Sequence, residues 1–446
     1  MITNWRTYIV SELEKAGLLR VEDGNHGEYR PRRDEFIESG TPFIRAADMD
    51  KGIILFESAS RINQTALSRI RKGIGNPGDT LFSSKGTVGK VALAPLDCEP
   101  FVCSPQVTFW RSLDHNFLDY RFLCYYIQSS DFWNQVTSRS GETDMAPYIS
   151  LTNQREFKIA IPPLPEQKTI ANILGTLDDK IELNQQMNRT LEAIAQAIFK
   201  SWFVNFDPVY AKMEGRQPVG MDAATAALFP DEFEDSPLGK IPKGWKVMQL
   251  KEIANNESET FDFLSHSEVI FLNTGDLALG KFLHANYSQK DVLPGQAKKA
   301  IKKDDILMSE IRPANGRYAF VNFTPDDYVV STKFMVIRAY SAIEPIVLYR
   351  MLTSLEVLSN LQVIAETRSG TFPQVTFKSI SHLSFVVPPK SIQLLYKKTV
   401  DKLDKKIRFN DSESKTLISI RDTLLPKLLS GEIRVKEAEN LVETVT

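Results

Sequence analysis

Cysteine is scarce in this chain. Cys98, Cys103 and Cys124 are an odd set without C-x-x-C spacing, which excludes a disulfide framework and a thiolate zinc site and fits thiols kept reduced in a cytoplasm. Histidine is nearly as rare, and the five residues are scattered, against a histidine-rich metal centre. An excess of one charge is missing too. The 54 basic and 56 acidic residues almost cancel, so any nucleic-acid surface has to be assembled from local patches. Long apolar runs are absent, and none approaches the roughly 20 residues of a membrane span. The opening MITNWRTYIVSELEKAG carries Glu12 and Glu14 where a signal peptide needs an apolar core. The expected location is therefore cytoplasmic, with no membrane partner.

Catalytic signatures are missing as well. Gly86-Thr87-Val88-Gly89-Lys90 resembles a phosphate loop, but the first glycine is lacking and Val91 stands where Ser or Thr should hold magnesium. Asn205-Phe206-Asp207-Pro208 is only faintly similar to the Asn-Pro-Pro-aromatic motif of amino-methyltransferases. No dinucleotide fingerprint follows a strand, and no nucleophile and base stand in a familiar local context. No catalytic residue and no metal ligand is assigned.

What the chain does contain is a long, one-sided helix pattern, written twice. Between Pro162 and Pro208, residues Ile170, Leu174, Leu177, Ile181, Asn184, Asn188, Leu191, Ala195 and Ile198 recur at alternating four- and three-residue steps. Heptad spacing of this kind predicts a helix of about 35 residues, roughly 50 Å long, with a single narrow seam. From Val387 the pattern returns: Gln167 answers to Gln393, Leu177-Asp178 to Leu403-Asp404, Asn184 to Asn410 and Thr190-Leu191 to Thr416-Leu417, at a constant offset of 226. The second seam reads Tyr396, Val400, Leu403, Ile407, Asn410, Ser414, Leu417 and Leu424, with Arg421 as its flaw. A single duplication implies a pseudo-twofold, so the two helices are expected to cross antiparallel with Asn184 near Asn410. Polar seam residues of this type fix register. Their alternative is to face solvent.

The fold class expected is α+β: two similar globular modules separated by two long antiparallel coiled-coil helices. The modules span 1–160 and 245–386, the helices 161–207 and 387–431. Residues 208–244, rich in Gly, Pro and acid, read as a linker with a short helix near 223–228, and 432–446 as a charged tail. The modules echo each other faintly. Asp79–Ser83 matches Asp305–Ser309; Lys85, Gly89 and Lys90 match Arg312, Gly316 and Arg317; Arg111 matches Arg338; Arg139-Ser140-Gly141 matches Arg368-Ser369-Gly370; Phe43-Ile44 and Asp48 match Phe271-Leu272 and Asp276. Between these anchors the residues differ freely. Like scaffolds therefore carry unlike surfaces.

Binding chemistry is better supported than catalysis. The two hairpins place Lys85 and Lys90, then Arg312 and Arg317, around glycine turns that let backbone approach phosphate. The loop from Asp23 to Arg33 mixes Asn25, His26, Arg30 and Arg32. Arg139 and Arg368 precede Ser-Gly turns, and Gln374 offers an amide of the type that reads adenine. Arg45, Asn273 and Lys333 complete the candidate DNA contacts. Lys298-Lys299 and Lys302-Lys303 read as a solvated helix face. Phe199, Trp202, Phe203 and Phe206 either anchor the first helix to its own modules or form a docking face for another subunit.

The run IPPLPEQKTIANILGTLDDKIELNQQMNRTLEAIAQAIFKSWFVNFDPV, the segments EGRQPVGM and FPDEFEDSPLGKIPKGW, and DGNHGEYRP followed by GTPFIRAADM resemble the specificity subunit of type I restriction-modification systems. The second helix departs from the first, with KSIQLLYKKT in place of LPEQKTIANI. The resemblance implies a non-catalytic subunit whose modules are target recognition domains for an asymmetric, bipartite site on double-stranded DNA. It also implies two modification subunits docked on the helices, carrying S-adenosylmethionine, and restriction subunits that use ATP and magnesium. No cofactor is expected on this chain itself. The rival readings are a coiled-coil scaffold whose modules bind protein or another ligand, and a self-sufficient methyltransferase.

Overall fold

The computed structural model describes residues 5–50, 52–140, 147–368, 373–433, 435 and 438. The chain divides into two compact units, one of residues 1–186 with 410–446 and one of 187–409. Each unit joins an α+β module to parts of both long helices.

The first long helix runs Leu164–Phe203 and the second Lys390–Leu429, 40 residues each and therefore about 60 Å long. Both exceed the length expected from the seam, because their first turns lie ahead of the first heptad residue. In the first unit the helices run antiparallel. Asp178 meets Arg421, and six residues on, Asn184 meets Ser414. Ile170, Leu174, Leu177, Ile181, Leu417 and Leu424 are buried in its core. In the second unit Ala195 faces Tyr396, and seven residues earlier Asn188 faces Ile407. Leu191, Ile198, Leu403 and Ile407 are half-buried there.

Asn184 and Asn410 are both buried. Asn184 Nδ2 donates to Glu413 Oε2 at 2.7 Å and lies 3.4 Å from Ser414 Oγ, which itself donates to the Asn410 carbonyl. A buried amide satisfied in only one alignment specifies register. Arg421 is no flaw: its Nη1 reaches Asp178 Oδ1 at 2.7 Å, and Tyr125 donates its hydroxyl to Asp178 Oδ2.

Each module is closed by its own first and last strands. In the first unit Arg6–Ile9 pairs antiparallel with Lys158–Ile161, and in the second Lys246–Gln249 pairs antiparallel with Ser384–Val387. Within the first module a four-stranded antiparallel sheet orders Val91–Leu93, Thr80–Ser83, Val107–Ser112 and Leu19–Asp23. Its counterpart orders Ala254–Glu257, Phe334–Ala339, Ile306–Ser309 and Tyr318–Phe320. A second sheet in each module contains one parallel pair, Thr41–Ile44 with Phe101–Cys103 and Glu268–Leu272 with Tyr328–Ser331.

The shared sequence anchors prove to be shared structural bonds. Arg111 grips the fully buried Asp79 through Nε and Nη2 at 2.6 and 2.7 Å, and Arg338 grips the fully buried Asp305 in the same way at 2.7 and 2.8 Å. Gln167 accepts from the Asp119 amide and donates to the Phe117 and Pro162 carbonyls; Gln393 does so with Glu344, Ala342 and Pro388. Each glutamine thus ties its long helix to its module.

Two expectations are corrected. Residues 208–244 are not a loose connector: Val209, Phe229 and Ile241 lie in the second unit's core, and Phe233–Ser236 pairs with Gly239–Pro242. Lys298 and Lys299 lie on the strand Ala297–Ala300, not on a helix face. The aromatic cluster is intramolecular. Phe203 meets Tyr396 edge to face and Trp245 at a tilt, and Trp202 meets Phe229 edge to face, all within the second unit.

Candidate nucleic-acid interface

In the first module the loop Asp23–Arg33 is laid against the strand ends by Gly24, where an added Cβ would stand 1.8 Å from the Ser104 carbonyl oxygen. Only glycine permits that approach. Further along, Arg69 forks onto Glu35 and also donates to the Arg30 carbonyl. That guanidinium, together with the Arg32 amide, holds the Glu35 carboxyl down at about 2. The loop is therefore pinned at both ends, with Arg30 and Arg32 exposed between them.

Three of the sequence candidates meet at one cleft of about 380 Å³, whose walls include Arg30, Arg45 and Lys85 beside Phe36, Ser104 and Gln106. Arg30 and Lys85, with Arg45 held by Asp48 at 3.1 and 3.3 Å, stand around an exposed ring and make a surface suited to phosphate and base. The Ser104 hydroxyl is buried there without a hydrogen-bond partner.

Other candidates do not line this cleft. Asn25 is buried within the loop itself. His26 lies 3.9 Å from Asp23. Lys90 Nζ donates to the Met49 carbonyl at 2.8 Å. Arg139 lies over the Phe157 ring and donates to the Gln135 carbonyl. Ser140 and Arg368 each end a helix, but the Arg368 side chain, with Gly141, Ser369 and Gly370, lies outside the described residues.

A ladder of backbone bonds sets the two modules in register at their hairpins. In the first module the Ser84 amide donates to Gln106, Ile149 to Ser84, Gly86 to Pro147 and Ser83 to Lys90, while Lys85 bridges to Tyr148. In the second, Glu310 donates to Lys333, Val375 to Glu310, Arg312 to Pro373 and Ser309 to Arg317, while Ile311 bridges to Gln374. Every rung has its counterpart. The ladder corrects the sequence alignment by one residue: Arg312 corresponds to Gly86, and Lys85 to Ile311. The second hairpin is one residue longer, and the extra residue falls after this position.

Gly86 has φ +78° and Arg312 has φ +46°, the left-handed region that costs an L-residue roughly 1–2 kcal/mol. The second module carries an exposed arginine where the first uses the unstrained glycine. Beside it, Gln374 Nε2 donates to Glu310 Oε2 at 2.8 Å. A carboxylate only accepts, so this bond fixes which way the amide faces. Lys333 is exposed. Asn273 accepts the Thr274 amide at the turn that Arg45 occupies in the first module, and each turn is closed by an aspartate, Asp276 or Asp48.

Sequence reasoning passed over Gln106 and Tyr148. The signal was present: Gln374 less the repeat offset of 226 is Tyr148. Among the described residues no helix is long and apolar enough to cross a membrane.

The sequence pattern of the type I restriction modification DNA specificity domain matches residues 21–193 and again 242–419. The type I restriction enzyme HindI specificity subunit of Haemophilus influenzae is 50% identical over 181 residues, a match that spans 40% of this chain and 39% of that one. The MjaIX specificity subunit of Methanocaldococcus jannaschii is 24% identical over 413 residues, 90% and 89% of the two chains. The crystal structure of a type I restriction-modification S subunit from M. genitalium has a TM-score of 0.53 at 18% identity over 96% of both chains, a likeness of fold. With the pattern matched twice and over more than half of its length, the chain belongs to the type I restriction-modification DNA specificity family.

Proposed function

We propose that this chain is the DNA-reading subunit of a type I restriction-modification complex, that it recognises an asymmetric target in two halves, and that it catalyses no step. Each module reads one half-site. The paired helices set the distance between the halves and dock two modification subunits. Those subunits hold S-adenosylmethionine and methylate adenine, while restriction subunits use ATP and magnesium to move along and cut the DNA; this chain holds no cofactor. Its place of action is the cytoplasm.

One observation carries the reading: matching hydrogen-bond ladders present unlike exposed side chains in the two modules. A scaffold held constant while its side chains vary suits the reading of two different sequences. A 40-residue helix, about 60 Å, exceeds the ~34 Å of one DNA turn, enough to place two contacts on one face of a duplex.

The test is to titrate the chain, with its modification subunits, onto DNA at several salt concentrations and to map methylated adenines. Affinity should fall steeply with salt as phosphate contacts release counterions, and methylation should mark one bipartite, asymmetric sequence. A flat salt response would favour a scaffold for protein ligands. Methyl transfer by the chain alone would make it an enzyme.

A further inference from the structure

Gln106 and Tyr148 stand on the same rungs as Lys333 and Gln374. Their backbone atoms are used by the ladder, so each side chain is held at its root. Gln106, Lys333 and Tyr148 are exposed, Tyr148 by 45%, and Gln374 is half-buried, with its amide oriented by Glu310.

The chemistry at these positions is that of base edges. A glutamine amide pairs with the N6/N7 edge of adenine, and a lysine ammonium with O6/N7 of guanine. A tyrosine offers a hydroxyl and a stacking face. In the first module the pair adjoins cations that suit the backbone. Lys85 Nζ lies 5.6 Å from the Tyr148 ring centre, and Lys85 and Gln106 share the walls of the cleft with Arg30 and Arg45. The buried, unpartnered Ser104 hydroxyl is in that same cleft. Phosphate contacts fix the register of a protein on the duplex, and side chains on a fixed root then select bases.

We propose that Gln106 and Tyr148 are specificity-determining residues of the first module, selecting bases of one half-site as Lys333 and Gln374 do for the other. The assignment rests on the DNA-reading function proposed above. It places one reader in the hairpin-facing turn and one on the bridge beside the hairpin, with a different residue type at each place in the two modules.

The experiment uses the full chain with its modification subunits and a DNA library randomised over both half-sites. With Gln106→Ala or Tyr148→Ala, discrimination at one or two positions of one half-site should fall ~5- to 150-fold, the range of a lost base contact, with the other half-site unchanged. Lys333→Ala should relax the other half-site alone. Gln106→Lys should exchange the preferred base rather than only relax it. If these variants methylate with wild-type preference, or lose methylation equally on all sequences, the assignment is overturned while a selective wild type leaves the function standing. If the wild-type complex itself shows no preference, the function falls and the assignment with it.

Discussion

The left-handed backbone shared by Gly86 and Arg312 offers a test in which stability and function move apart. Arg312→Gly removes an exposed side chain but leaves the backbone bonds to Pro373 and from Asn315. The strain relieved is roughly 1–2 kcal/mol. Against it stands the larger conformational entropy that glycine gives the unfolded chain, about 0.4–1 kcal/mol. The net expectation is a variant as stable as the parent or up to about 1.5 kcal/mol more stable, with discrimination reduced at one base position of one half-site. Gly86→Ala is the reverse experiment. A Cβ there would meet only Gln106 Nε2, at 3.7 Å, so its cost is purely conformational, roughly 1–2 kcal/mol. Amide hydrogen exchange of each hairpin measures the stability change, and methylation of a randomised library measures reading. Arg312→Gly that destabilises by more than about 1 kcal/mol, or that reads DNA as before, would refute the claim that strain is kept here for the sake of the side chain.

Three further outcomes are expected. Arg111→Met leaves the Asp79 carboxylate buried with only the Asn76 amide for company, and should cost about 3–5 kcal/mol; denaturation should show most of this recovered in Arg111→Met with Asp79→Asn. Burial already raises the Asp79 carboxyl above its usual 3.8 despite Arg111, so the single variant should gain stability as pH falls through that raised value towards 3.8 and lose it as pH rises back through it. Glu35 behaves oppositely. With its carboxyl lowered from 4.5 to about 2 by Arg69, its contribution is full above pH 4.5 and lost as pH falls through 4.5 to 2; exchange of the 30–37 amides should rise in that window and not in Glu35→Gln. Phe203→Ala, emptying a buried ring site against Tyr396 and Trp245, should cost about 3–5 kcal/mol, seen as faster exchange within residues 187–409 and not in the first module.

The parts of the fold that were legible in the sequence are those whose signal is local and repeated. Heptad positions from Ile170 to Ile198 announce themselves within one helix, and the 226-residue offset pairs Gln167 with Gln393 before their like bonds are seen. Arg421 was misjudged because its meaning lies in Asp178, 243 residues away. Lys90 and Lys85 look alike in sequence, yet one is spent on the Met49 carbonyl and the other lines the cleft. Charge type does not tell a scaffold lysine from a contacting one. The convergence of Arg30, Arg45 and Lys85 depends on which loops meet, and loop lengths alone do not fix that. Phe229 and Ile241 were hidden in a segment whose prolines and acids are linker-like; its few apolar residues, rather than its composition, decide its place.

That last point fixes where a module can be exchanged. The second module enters the chain at Lys246–Gln249 and leaves at Ser384–Val387, and these strands pair with each other, Lys246 opposite Val387. Entry and exit therefore lie side by side, and a replacement joined at this pair meets the helices through the same two strands. A joint placed near residue 208 would also replace Val209, Phe229 and Ile241, which pack with Phe199, Phe203 and Tyr396 in one core, and with them a set of aromatic contacts each worth about 0.5–1.5 kcal/mol beyond the area buried. Exchanging residues 246–387 for the corresponding module of another family member should give a folded chain that still supports methylation, with one half of the target changed and the other kept. Exchanging 208–387 should give a chain with a lower melting temperature and reduced assembly with modification subunits, unless the helix residues facing it are exchanged as well. Equal stability for both chimaeras would mean that the 208–245 segment contributes little to the core in which it lies.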